Sequence, residues 1–124
     1  MEKISIDGSQ KLPTVNFDHD KGLIEIKGKS IPENPKDFYQ PLIEWVEEYS
    51  GNPCKTTIVN IKLEYFNTSS SKWILNIFKR IVPIFKDGND VVINWYYDEN
   101  DEDIYESGED YQSIVKIPFN IIET

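Results

Sequence analysis

The run Thr56–Phe66 (TTIVNIKLEYF) places the tightest limit on what this chain can fold into. Val59, Ile61, Leu63 and Tyr65 alternate with Asn60, Lys62 and Glu64, the period of a strand with one buried face and one wet face. Patterns of helical period stand on both sides of it. Strand–helix–strand units of this length favour parallel neighbours joined by right-handed crossovers.

Upstream, Val15 and Phe17, then Ile24 and Ile26, alternate with polar residues around Asp18-His19-Asp20-Lys21-Gly22, which reads as a β-hairpin. Asn34-Pro35 is a helix start, a side-chain cap followed by a proline whose missing N–H costs nothing there. Phe38, Leu42, Trp45 and Tyr49 then mark one helical face, with a kink or restart expected near Gln40 because of Pro41. Gly51 and Pro53 end that helix. Downstream of the long strand, Asn67-Thr68-Ser69-Ser70-Ser71 is a polar break. A second helix follows with Ile74, Ile77, Phe78 and Ile81 on its apolar face and Trp73 at the margin. Pro83 is expected to kink or end it, and Asp87-Gly88 closes the segment.

Asp90–Tyr97 (DVVINWYY) is a further strand. The acidic stretch and Gly108 then precede a short third helix around Tyr111–Val115, and Lys116–Ile122 supplies a short closing strand. The order β-β-α-β-α-β-α, with that closing strand, gives an α/β fold. It is a single domain over residues 13–124, with a mixed sheet of four to five strands, an N-terminal hairpin and about three helices. Residues 1–12 are a tail or a short extra strand. A chain of 124 residues fits one such core.

Charge narrows the partners. The net charge of −9 comes from one segment: Asp98, Glu99, Asp101, Glu102, Asp103, Glu106, Glu109 and Asp110 lie together with no base among them, while the rest is close to neutral. A field of this sign opposes nucleic acid and anionic membranes. No apolar run is long enough to span a membrane, and MEKISIDGSQ lacks the apolar centre of a secretory signal, so a cytoplasmic protein is expected. The single cysteine, Cys54, forms no internal disulfide and fits a reducing compartment.

Catalytic chemistry finds little purchase. His19 is the only histidine and sits in the hairpin turn; one His and one Cys do not assemble a zinc site. No glycine-rich phosphate loop is present, so no cofactor is expected. Ser69-Ser70-Ser71-Lys72 meets the spacing in which a lysine activates a serine, which keeps a small serine hydrolase as a rival reading, but the supporting motifs of that enzyme class are absent. A calcium loop starting at Asp98 would put Asp103 where the sharp turn demands glycine.

The break at Asn67–Ser71 is more informative. It places hydroxyls at the start of a helix, where unpaired N–H groups and the helix dipole favour anions. One hydroxyl there is an ordinary cap, but four in a row exceed what a cap requires. A phosphate here would add about −1.5 to −2 charges without unfolding the domain. Thr68 is the candidate phosphoacceptor, framed by Asn67, Ser69, Ser70, Ser71 and Lys72, with Ser69 left open as a second acceptor. Glu64, Tyr65 and Phe66, together with Asn67, are the expected docking surface. The alternative is a constitutive protein-binding module that uses the acidic segment as its contact surface.

LEYFNTSSSK (Leu63–Lys72), GLIEIKGKSIPENPKDFYQPLIEW (Gly22–Trp45) and INWYYDENDEDIYESGEDY (Ile93–Tyr111) closely resemble the SiaC family of bacterial regulatory phosphoproteins, over about Pro13–Ile122. The resemblance implies an α/β fold similar to the STAS domains of anti-sigma-factor antagonists, which carry a phosphorylated Ser or Thr at the helix following a central strand. It implies a non-enzymatic switch: a partner kinase phosphorylates the threonine matching Thr68, and a PP2C-type phosphatase removes the phosphate. The unphosphorylated form binds and activates a diguanylate cyclase or another output protein, linking the switch to cyclic-di-GMP signalling and biofilm formation.

Overall fold

The computed structural model describes residues 1–124. In chain order the elements are β1 (Ile4–Ile6), β2 (Thr14–Asp18), β3 (Leu23–Ser30), α1 (Pro35–Ser50), β4 (Thr56–Phe66), α2 (Thr68–Lys86), β5 (Asp90–Tyr97), α3 (Glu102–Val115) and β6 (Phe119–Glu123). The strands form one six-stranded sheet in sequential order, so the expected four to five strands become six. β1, β2 and β3 pair antiparallel, and β3 through β6 pair parallel. Each parallel step crosses over through one helix to the adjacent strand. Crossovers of one hand put all three helices on the same face.

Burial follows that layering. Val15, Phe17, Ile24, Ile26, Val59, Ile61, Ile93 and Trp95 face the helices and belong to one continuous apolar core with Leu42, Val46, Ile74, Ile77, Phe78 and Ile81. The opposite face has no helical cover, and a polar row crosses it in register from Glu25 to Asn60, Asn94 and Asn120. Asn60 Nδ2 donates to Glu25 (3.2 Å), Asn94 Nδ2 to Asn60 (3.0 Å) and Asn120 Nδ2 to Asn94 (3.1 Å). Such a row pins strand register where apolar packing is absent, because a one-residue slip would bring every amide opposite the wrong face.

Neither proline breaks its helix. α1 runs through Pro41 and α2 continues through Pro83 to Lys86. Both prolines are exposed, so the carbonyls one turn back that lose an N–H partner lie on the wet side, while Leu42 and Ile43, or Ile81 and Ile84, hold the buried side. Asn34 does not cap α1 with its side chain. Its amide donates instead to the Asp37 carboxylate at 2.7 Å, and its backbone carbonyl accepts from Phe38 N–H. The buried face of α1 is built on Tyr39, Leu42, Val46 and Tyr49, with Phe38 shifted to the margin and edge-on to Tyr39.

The third helix is longer than expected. It begins at Glu102, so most of the acidic segment is its first turns rather than a loop. Asp101 caps it by accepting from Ile104 N–H at 3.0 Å, and Glu102 and Asp103 sit where the helix dipole favours negative charge. No helix is long and apolar enough to cross a membrane.

Candidate functional site

Thr68 is the first residue of α2, at the end of the sheet where β4 delivers the chain. Asn67 adopts an extended backbone and its side-chain oxygen accepts from Ser70 N–H at 2.9 Å, a side-chain N-cap. Asn67 N–H in turn donates to the Ser30 carbonyl at the end of β3 (3.1 Å). The helix start is therefore held to the neighbouring strand by backbone as well as by its cap.

The four hydroxyls are not equivalent. Thr68 and Ser69 are exposed, and Ser70 is fully buried. Ser70 Oγ donates to the Ser30 carbonyl (2.9 Å) and accepts from Ser30 Oγ (2.8 Å), which also bonds the Tyr39 hydroxyl of α1. Ser71 is half-buried: its hydroxyl donates to the Thr68 carbonyl (2.7 Å), and its own carbonyl accepts from the Tyr111 hydroxyl of α3 (2.9 Å). Lys72 is exposed one turn beyond Thr68. Ser30, Tyr39 and Tyr111 complete the site and lack a local motif of their own.

The expected docking residues divide in a similar way. Opposite Gly28–Lys29 the pairing of β3 with β4 slips by one residue at Glu64, so that Gly28 faces Leu63 and Lys29 faces Tyr65. That bulge reverses the alternation. Tyr65, expected on the buried side, is 55% exposed, and Phe66 turns inward to lie edge-on to Trp95. Beside Thr68, a groove of about 270 Å³ between α2 and α3 is lined by Phe66, Leu75, Tyr111 and Ile114, with Lys72 and Asp110 at its sides. A larger groove of about 750 Å³ lies between Ser9–Leu12 and the start of α1, and Thr68 does not line it. Its polar side chains pair with one another, Lys11 with Glu33 at 3.1 Å and the Asn34 amide with the Asp37 carboxylate, which leaves no convergent group for chemistry.

No three His, Cys, Asp or Glu side chains are grouped so as to hold a metal ion. With α3 starting at Glu102, a calcium loop from Asp98 would run into helix after four residues. His19 Nε2 donates to the Asn52 carbonyl (2.9 Å) at the opposite end of the sheet, far along the chain from the serine run.

Burial is the main cause that pushes the hydroxyls of Tyr39 and Tyr111 up from the ordinary tyrosine value. Both stay neutral through the physiological range and act as donors. A folded value above the unfolded one contributes stability that is complete below about pH 10 and is lost as pH rises through the folded value. Thermal melts are therefore expected to be flat in this respect near neutrality and to fall at alkaline pH. The fall is expected to be shallower in Tyr39→Phe/Tyr111→Phe; an identical alkaline slope in that variant would show that these hydroxyls do not set it.

Comparison with known proteins agrees with the fold. The family model described as SiaC family regulatory phosphoprotein matches residues 6–124. A curated Pseudomonas aeruginosa (strain UCBPP-PA14) protein of uncharacterised function is 29% identical over 121 residues, 98% of this chain and 96% of that protein. A chain in the crystal structure of the diguanylate cyclase SiaD in complex with its activator SiaC, from Pseudomonas aeruginosa, superposes with a TM-score of 0.91 at 28% identity, covering 98% of this chain and 99% of that one. SiaC of Pseudomonas aeruginosa superposes with a TM-score of 0.91 at 27% identity, each chain covered in full.

Proposed function

The chain belongs to the SiaC family of regulatory phosphoproteins, and from that premise we propose that it is a non-enzymatic cytoplasmic switch whose phosphoacceptor is Thr68. A partner kinase adds the phosphate, a PP2C-type phosphatase removes it, and the unphosphorylated form binds and activates a diguanylate cyclase. The observation that carries the reading is the sorting of the hydroxyl run. Ser70 and Ser71 have their hydroxyls committed to the fold, whereas Thr68 stands exposed at the first position of a capped helix.

The physics of that position suits a reversible mark. A phosphate there meets the positive end of the α2 dipole, a surface effect of about 0.3–1 kcal/mol, with Lys72 four residues on along the same face. The fold tolerates the added charge, so the consequence falls on whatever docks around Thr68, Tyr65 and the neighbouring groove. The complex formed by the Pseudomonas aeruginosa relative supports a cyclase as the partner. The constitutive alternative has less support, because Asp101, Glu102 and Asp103 already serve as the cap and first turn of α3.

The reading is tested on protein isolated from its native host, by intact-mass and peptide mass spectrometry before and after phosphatase treatment. The expected result is a phosphatase-sensitive gain of about 80 Da, one phosphoryl group, mapping to Thr68. If the peptide Leu63–Lys72 is well observed and unmodified across growth conditions, the constitutive reading replaces the switch.

A further inference from the structure

A kinase facing the start of α2 meets four consecutive hydroxyls, and something must decide which of them it can use. Each serine or tyrosine hydroxyl has one hydrogen to give. Ser70 spends its hydrogen on the Ser30 carbonyl and Ser30 spends its own on Ser70 Oγ, so in the Tyr39–Ser30 contact Tyr39 is the donor. The result is a directed chain, from Tyr39 on α1 through Ser30 on β3 to Ser70 on α2, ending on a backbone carbonyl that also accepts from Asn67 N–H. All three side chains are fully buried within an otherwise apolar core. Trp73 stacks on Tyr39 with ring centroids 6.0 Å apart, closing the chain from the α2 side. From the third helix, Tyr111 holds the Ser71 carbonyl. Buried polar groups of this kind add little net stability over apolar groups of the same shape, but when fully satisfied they specify one geometry.

Resting on the reading of Thr68 as phosphoacceptor, we infer that the buried hydroxyl chain Tyr39–Ser30–Ser70 is a positioning device that selects Thr68. It turns Ser70 inward, sets the rotation of the first turn of α2 against β3, and thereby presents Thr68 Oγ1, the attacking nucleophile, to the phosphoryl donor in a fixed orientation. Phosphoryl transfer depends on in-line placement of the attacking oxygen, so an acceptor held at one angle reacts in preference to neighbours held at others. Tyr39, Ser30 and Ser70 touch no substrate; they act through the turn that carries Thr68.

The test compares the full-length protein with two variants, each produced in the native host, by reading phosphate position residue by residue within the tryptic peptide Leu63–Lys72. Ser70→Ala removes the end of the chain and strands a buried donor, so it also lowers the melting temperature. Tyr39→Phe/Ser30→Ala/Ser70→Ala removes every member at once, strands nothing, and is expected to recover most of that loss. If the chain positions Thr68, both variants show Thr68 occupancy reduced about tenfold, with phosphate appearing on Ser69, although only the first is unstable. If occupancy recovers with the melting temperature in the triple variant, the chain serves the fold alone and the inference is overturned. A wild-type protein without phosphate on the peptide is a different result: it removes the phosphoacceptor reading itself, and the selection argument with it.

Discussion

Trp95→Ala is expected to lower unfolding free energy by about 3–5 kcal/mol, the range for deleting a large buried aromatic. Trp95 is fully buried on β5, edge-on to Phe66 (5.9 Å), tilted against Tyr111 (5.2 Å) and stacked on Phe119 (6.5 Å), so its removal opens a cavity between the sheet and α3. Its indole N–H also donates to the Ile104 carbonyl at 2.8 Å, but one such bond contributes only about 1 kcal/mol, and packing decides the outcome. Gly108 is the counterpart. A Cβ built there would lie 2.5 Å from Trp95 Cδ1, which explains a glycine inside a helix where alanine would otherwise be favoured by about 1 kcal/mol. Gly108→Ala is thus destabilising in the wild-type background and neutral or stabilising once Trp95 is truncated. Denaturant unfolding of the two single variants and the double variant measures this coupling. A Trp95→Ala loss below about 1 kcal/mol, or strictly additive variants, would mean that Trp95 does not set the α3 packing distance.

That packing matters to the turn that carries Thr68. Tyr111 shares the Trp95 contact and also holds the Ser71 carbonyl, while Tyr39 reaches the same turn from α1. The start of α2 is thus held by Tyr111 of α3 directly and by Tyr39 of α1 through Ser30, and the sheet core and Thr68 are mechanically connected. Loosening α3 is expected to reach Thr68 even though Trp95 does not touch it.

Much of this was legible because local periodicity follows burial. The alternation in Thr56–Phe66, the helical spacing of Ile74, Ile77, Phe78 and Ile81, and the hairpin around Asp18–Gly22 each correspond to elements of the fold. The placement of Thr68 at a helix start followed from the same patterns. What escaped was either too short, masked by composition, or non-local. For residues 1–12 the choice between a tail and a short extra strand stays open in the sequence, because β1 is only three residues in a polar stretch. The acids before Gly108 resembled a loop, although Asp101 with Glu102 and Asp103 is also a helix-start pattern. The alternation alone points Tyr65 inward, because the bulge at Glu64 depends on the strand next to it, where Gly28 has φ of 102°. The Tyr39–Ser30–Ser70 chain joins residues 9 and 40 positions apart, a link that no window along one sequence contains.

On the proposed reading of Thr68 as the switch and a diguanylate cyclase as its partner, Thr68→Asp is expected to weaken that binding by at least about tenfold, or 1.4 kcal/mol, while Thr68→Ala binds as tightly as the unphosphorylated protein. The direction follows from where the charge sits. Thr68 is exposed in the free protein, so a carboxylate there is solvated, and its place at the head of α2 favours it slightly. In a complex that covers Thr68 the same carboxylate must be desolvated beside whatever replaces water, and an unpaired charge in that position is costly. Aspartate carries less charge than a phosphate, so a fully phosphorylated sample is expected to lose more binding than the variant does. Thermal melts separate this effect from misfolding, since the Asp variant is expected to melt at or slightly above the wild-type temperature. Ser69→Asp supplies the positional control: a much smaller loss there ties the effect to Thr68 rather than to the negative charge of the region. Equal binding by wild type, Thr68→Ala and Thr68→Asp in calorimetric titrations would remove Thr68 as the switch, whatever its phosphorylation state.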